Sequence, residues 1–259
     1  MLRRSRELFA DILRQTDLVL LALCAAASLF GVLMVASATR YMHTWRLVAV
    51  QSVALLLGVV LYLVISQIDL NDLCKYWKWV FLVGVVCILL LVTPLGIADN
   101  TGNRAWLDFP FLPVKVQPAE IVKLTLTLVL AKQLVWLKEN RDLSSILSIL
   151  FLAAHLGIIF VLYYKVSSDM GSALVFLFIF ACMCFVGGVA LRWFLLGGMA
   201  GGLAFWAMWD LNKIPSYMKL RFQVLFDHSL DPQDTGWQQT RSLMALGSGK
   251  LTGQGLFHG

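Results

Sequence analysis

Long apolar runs follow one another from Leu18 to Trp209, separated only by short charged breaks. A bilayer core about 30 Å thick is crossed by roughly 20 helical residues, and inside it every backbone N–H and C=O must find its partner within the chain. Laid along the sequence, that ruler predicts helical spans near 18–38, 47–68, 77–95, 118–137, 146–164, 172–186 and 191–209. The expected fold class is therefore all-α, a polytopic transmembrane helical bundle of about seven spans. Pro118 suits the first turn of the fourth span. Residues 210–259 read as an extracytoplasmic loop.

Composition excludes the competing classes. The chain is 59% apolar and only 14% charged, against about a quarter charged in soluble domains. Its net charge of +6 comes from basic residues at the ends of apolar runs, so the charge reads as topology and not as a nucleic-acid surface. Arg3, Arg4, Arg6 and Arg14 precede the first span, and Lys75, Lys78, Lys138, Arg141 and Arg192 flank later ones. These ends belong in the cytoplasm, with the N-terminus, which leaves 210–259 outside. The first run is too long for the core of a cleaved signal peptide and is expected to stay as an anchor. Cys24, Cys87, Cys182 and Cys184 lie in apolar runs and Cys74 stands alone, so neither disulfide nor zinc spacing is present.

Two non-cytoplasmic stretches, 96–117 and 210–259, are too polar and too long to be mere turns, and functional residues are sought there. The first carries Gly102-Asn103-Arg104-Ala105-Trp106 and leads into Gln117-Pro118-Ala119-Glu120-Ile121-Val122-Lys123. Charges at a membrane face need a reason. Glu120 and Lys123 are three apart on a helix and can pair with each other, which explains both without a ligand. The functional alternative is a charged cavity, with Arg104 above the pair, that takes an anionic lipid headgroup.

Asp169 opens the sixth span in Ser168-Asp169-Met170-Gly171-Ser172. It either caps that helix or faces the same cavity, its charge matched by Arg104 or Lys123. A third tract holds Asp231, Pro232, Asp234, Gly236, Trp237, Gln238, Ser242, Gly247, Ser248, Gly249, Gly253, Gln254 and Gly255. Its dense glycines imply positive φ angles, but the spacing fits neither known phosphate-binding glycine loop. His155, inside the fifth span, reads as an interhelical hydrogen-bond donor. Gly197, Gly198, Gly201 and Gly202 form small-xxx-small pairs expected to pack against another helix.

Together the three tracts resemble the SEDS family of cell-wall polymerases (shape, elongation, division and sporulation proteins), over nearly the whole chain. The family's Gly-x-Arg/Lys-x-Trp loop and Gln-Pro-Ser-Glu-x-x-Lys helix start are matched by Gly102, Arg104, Trp106, Gln117, Pro118, Glu120 and Lys123, with Ala119 in place of serine. Its Asp-Leu-Gly-Thr element is similar to Asp169-Met170-Gly171-Ser172, and its Asp-Pro…Gly-Tyr-Gln…Gly-Ser-Gly-Gly tract to residues 231–250, where Trp237 and Lys250 depart.

The resemblance implies a peptidoglycan glycosyltransferase of the bacterial cytoplasmic membrane. Such an enzyme joins lipid II into glycan strands with undecaprenyl pyrophosphate as leaving group. Arg104, Trp106, Gln117, Glu120, Lys123 and Asp169 would then bind substrate, while Asp231, Pro232, Gly236, Gln238, Ser242, Gly247, Ser248 and Gly249 would shape the loop. The reaction needs a base for the attacking hydroxyl and cations for the departing pyrophosphate. Arg104 and Lys123 are the candidates for the second role, helped by a divalent cation such as Mg or Mn. No covalently bound cofactor is implied. The expected partners are membrane lipid and a class B penicillin-binding protein, a transpeptidase.

The family's essential aspartate lies in a His-Thr-Asp-Phe-like stretch of the same loop, beyond the point reached by Gly259. The chain is therefore expected to be the N-terminal part of such a polymerase. Residues 255–259 are closer to the RodA type than to FtsW. Two other readings fit the same charges: a flippase or transporter of a lipid-linked precursor, and a non-catalytic scaffold of the synthesis complex.

Overall fold

The computed structural model describes residues 14, 16–42, 44–98, 103–110, 114–214, 216–224, 226–227, 230 and 236–257, with backbone alone at 42, 217, 221 and 238. Ten α-helices are present among the described residues: α1 Leu18–Ala38, α2 Arg46–Ile65, α3 Leu70–Lys75, α4 Trp77–Leu90, α5 Pro118–Asn140, α6 Ile146–Ser167, α7 Met170–Gly187, α8 Leu191–Asp210, α9 Ser216–Val224 and α10 Trp237–Gly249. Asp17 caps α1, accepting from the N–H groups of Val19 and Leu20 at 3.0 Å.

Five of these helices (α1, α2, α6, α7 and α8) are long and apolar enough to cross a membrane. Two of the seven expected spans differ. Helix α4 has only 14 residues and gives way to turns before Gly96. Helix α5 has 23 residues but carries Glu120, Lys123, Lys132, Lys138 and Glu139. It packs against α4, α6 and α7, and buries Ala119, Val122, Leu126, Val129, Leu130, Leu134 and Leu137 along one stripe. A helix enclosed by its neighbours need not be apolar all round, which is why hydropathy understates it.

Packing divides the chain into two compact units, Leu70–Phe205 and Met1–Asp69 with Trp206–Gly259, and the division falls within α8. In the first of these, a core of Ile88, Leu91, Leu107, Ala119, Val122, Leu126, Leu156, Ile159, Tyr163, Ala173 and Phe176 joins α4, α5, α6 and α7. A second core around Leu130, Leu134, Leu137, Leu143, Leu152, Cys184 and Val189 closes the other end. In the other unit α1 packs on α2, yet neither helix buries a residue. Residues as apolar as Val19, Leu23, Phe30, Leu56 and Val64 stay open on both, a surface that lipid and not water can solvate.

Residues 96–117 contain a small ribbon that periodicity alone does not announce. Strand β1, Gly96–Ile97, pairs antiparallel with β2, Trp106–Leu107, and Leu107 bridges on to Val116. Exchange of Leu107 N–H and Val116 N–H with each other's carbonyls, at 2.8 and 2.9 Å, ties the ribbon to the start of α5. Buried Leu107 anchors it in the core.

The glycine-rich tract meets its expected positive φ in part. Gly253 and Gly255 take it, whereas Gly247 and Gly249 lie within α10 and Gly236 precedes it with φ −82°. The run from Trp237 to Leu246 is rich in good helix formers, and it carries the glycines that follow into the same helix. Gly197, Gly198, Gly201 and Gly202 also depart from expectation: a Cβ on any of them would meet nothing within 4 Å, because α8 buries no residue.

Candidate functional site

The charged residues singled out in 96–123 and at Asp169 gather at one end of the unit Leu70–Phe205. Three packed elements bring them there. Core contacts among Leu107, Ala119, Val122, Tyr163 and Ala173 hold the ribbon, the start of α5 and the α6–α7 turn together. Arg104 N–H donates to the carbonyl of Ser167 at 3.0 Å, which fastens the segment before β2 to the end of α6.

Gln117 is the N-cap of α5 without a side-chain cap bond, and Pro118 fills the first turn, where a missing N–H costs nothing. One turn in, Lys123 Nζ pairs with Glu120 Oε2 at 2.7 Å; Lys123 is 29% exposed and Glu120 62%. The ammonium is the better covered of the two, and the pair lies beside the buried stripe that begins with Ala119 and Val122. Trp106 stands half-buried in β2, opposite Ile97.

Arg104 makes no ion pair among the described residues. Its Nε donates to the Gly96 carbonyl and one Nη to that of Thr93, both at 3.0 Å. Asp169 is the N-cap of α7: its Oδ1 accepts from Ser172 N–H at 3.3 Å, while Oδ2 accepts from Ser172 Oγ at 2.6 Å and from the Tyr163 hydroxyl at 3.1 Å. Neither Arg104 nor Lys123 matches its charge; hydroxyl and backbone donors do. The turn before it passes through Ser168 at φ +57°, a left-handed C-cap that ends α6.

Asp231 and Pro232 of the third tract, with Asp234 and Gly102, lie outside the described residues. Gly236 precedes α10, and Gln238, Ser242, Gly247, Ser248 and Gly249 lie within it. Ser248 Oγ donates to the Ala245 carbonyl at 3.0 Å. Among the described residues no three His, Cys, Asp or Glu side chains gather as a metal site. The donor set beside Arg104 and Lys123 is two cations and two occupied carboxylates, which does not fit a divalent ion held by protein groups alone. Two cavities of about 300 and 320 Å³ are lined by other residues, Leu21 to Val59 and Ala36 to Phe257, and the charged residues line neither.

Sequence reasoning missed the turn carbonyls of Thr93 and Gly96 and the hydroxyl of Tyr163. For the carbonyls a signal existed in Thr93-Pro94-Leu95-Gly96, a turn sequence directly after an apolar run.

The model of the FtsW/RodA/SpoVE family, described as cell cycle proteins, matches residues 15–259. The chain belongs to this family. A probable peptidoglycan glycosyltransferase FtsW of Saccharophagus degradans is 31% identical over 252 residues, covering 94% of this chain and 62% of the relative. That of Nitrosococcus halophilus is 30% identical over 261 residues, with 93% and 62% covered. The chain thus spans under two thirds of the length of these relatives.

Among solved structures, a chain described under structural coordination of polymerization and crosslinking by a peptidoglycan synthase complex aligns at TM-score 0.71 and 28% identity. It covers 89% of this chain and 65% of that one. Thermus thermophilus rod shape determining protein RodA aligns at TM-score 0.57 and 29% identity, covering 71% and 58%. FtsW and RodA types are both represented, and likeness does not separate them here. As a member of the FtsW/RodA/SpoVE family with five membrane-capable helices, the chain is a multi-pass membrane protein.

Proposed function

We propose that this chain is part of a peptidoglycan glycosyltransferase that polymerises lipid II at the outer face of the bacterial cytoplasmic membrane. The observation that carries the reading is the gathering of Arg104 and the Glu120–Lys123 pair at one end of a family-matched helical unit. Relatives along nearly the whole chain bear the name peptidoglycan glycosyltransferase, which supports it. The N-terminus is cytoplasmic and residues 210–259 are extracytoplasmic.

In this reaction a sugar hydroxyl attacks the anomeric carbon of a lipid-linked glycan. The bond from that carbon to the pyrophosphate oxygen breaks, and negative charge grows on the leaving group. Arg104 and Lys123 meet that charge, the first as a fork of donors and the second as a point charge. Glu120 holds Lys123 in place from one turn away. The hydroxyl's proton goes to a base that is none of the described site carboxylates, since Asp169 caps α7 and Glu120 pairs with Lys123. The partner is a class B penicillin-binding protein that crosslinks the product strands.

Polymerisation of purified lipid II by the full-length gene product tests the reading. Lys123→Ala is expected to lower turnover by roughly 10²-fold or more, the scale of losing one charge-stabilising donor. Translocation of lipid II without glycan product would identify a flippase instead, and neither product nor translocation a scaffold.

A further inference from the structure

We propose that the turn 93–96 is a positioning device for Arg104: two of its main-chain carbonyls grip one edge of the guanidinium and present the other edge to the pyrophosphate of a lipid-linked substrate. The inference rests on the glycosyltransferase reading above and adds to it the residues that aim the cation.

A guanidinium carries five N–H donors in a rigid plane. Arg104 gives one from Nε to Gly96 O and one from an Nη to Thr93 O, so five less two leaves three. Nε and the adjacent Nη form one edge of the plane, and that edge faces the protein. The edge shared by the two Nη atoms keeps a parallel pair of N–H groups, the fork that meets two oxygens of a phosphate together. No Asp or Glu among the described residues pairs with it: the side-chain bonds of Arg104 there go to the two carbonyls.

The turn is itself braced. Thr93 O also accepts from Gly96 N–H at 3.0 Å, Thr93 Oγ1 donates to Leu90 O at 2.6 Å, and Leu95 N–H donates back to Thr93 Oγ1 at 3.4 Å. A third bond, Arg104 N–H to Ser167 O, fixes the arginine backbone from the α6 side. Gly96 is required by space and not by φ. A Cβ there would overlap the carbonyl oxygen of Leu91 and press on Arg104 Nε at 3.0 Å. Any side chain at 96 therefore pushes the guanidinium off the carbonyl that orients it. An arginine already held at two donors gives up less freedom when its ligand arrives.

The test uses the full chain in detergent, with farnesyl pyrophosphate as probe and calorimetric titration as readout. Arg104→Lys keeps the charge and loses the fork; Gly96→Ala keeps the arginine and loses its aim. Each is expected to weaken binding at least roughly tenfold, as befits a bidentate charge-assisted contact. The double variant is expected to be no worse than the weaker single one, because both act on the same contact. Wild-type affinity in either single variant, or a double loss equal to the product of the two, overturns the inference.

Because Gly96→Ala also presses on Leu91, a second measurement needs only the native chain. In protein labelled with ¹⁵N-arginine, the Arg104 Nε–H signal, assigned by its disappearance in Arg104→Lys, should exchange with solvent at least tenfold more slowly than those of exposed arginines. The probe should move the Nη signals and leave that protection intact. Fast exchange overturns the inference, and so does a wild-type chain that takes up no pyrophosphate. Normal binding and variant behaviour without polymerisation of lipid II would sink the glycosyltransferase reading alone.

Discussion

Arg104 and Asp169 belong to adjoining turns, joined by the bond from Arg104 N–H to Ser167 O, yet they are satisfied by different groups. Asp169 accepts from two hydroxyls and an N–H, and Tyr163, fully buried beneath it, supplies one of the hydroxyls. Hydrogen bonds to a charged group contribute about 1.5–3 kcal/mol. Tyr163→Phe is therefore expected to lower stability in detergent by about that amount, measured as thermal unfolding. An unchanged melting temperature would show the hydroxyl to be idle. Glu120 sits in the opposite situation, mostly exposed in its pair. Glu120→Gln should cost less than about 0.5 kcal/mol, the scale of an exposed ion pair. If Glu120 holds Lys123 for catalysis, the same variant loses polymerase activity while its stability stays.

Elements meet at a few close points. A Cβ on Gly84 of α4 would overlap Thr125 Oγ1 of α5, so these helices approach through glycine. Gly84→Ala is expected to destabilise by about 1–3 kcal/mol as an overpacked contact, and Thr125→Ala in the same chain should restore part of it. A double variant no better than Gly84→Ala would place the strain elsewhere. Two turns further along α5, Gln133 Oε1 meets His155 Nδ1 of α6 at 2.8 Å, with the Phe81 ring edge-on to the imidazole at 5.4 Å. His155→Leu and Gln133→Leu, combined in a double-mutant cycle, should show a coupling of about 0.6–2 kcal/mol, typical of hydrogen bonds between membrane helices. Ser144 plays a comparable part at the far end, where its carbonyl accepts from Trp193 Nε1 at 2.8 Å and its Oγ from Ala190 N–H at 3.2 Å.

At the scale of the whole molecule, the proposed orientation separates charged ends across the bilayer. Cysteines introduced at Leu251, fully exposed, and at Asn140, also exposed, give an expected contrast in intact cells. Leu251→Cys should react with a membrane-impermeant maleimide, and Asn140→Cys only after lysis. The reverse pattern would turn the topology over, and with it the placement of Arg104 and Lys123 at the outer face.

Helices were legible in the sequence because an apolar run long enough to cross a bilayer has few other stable conformations: α1 was readable as Leu18–Ala38 from hydropathy alone. The i, i+3 spacing of Glu120 and Lys123 likewise implied their pair, and His155 its helix-to-helix bond. Contacts made by main-chain atoms were not legible, since a carbonyl carries no residue identity. Whether Asp169 would answer Arg104 or cap its own helix, and what would hold the guanidinium, depended on how the ribbon and the turn 93–96 packed onto α6. Local periodicity determines which segments coil; only tertiary packing decides which polar atoms of those segments are left to meet a ligand.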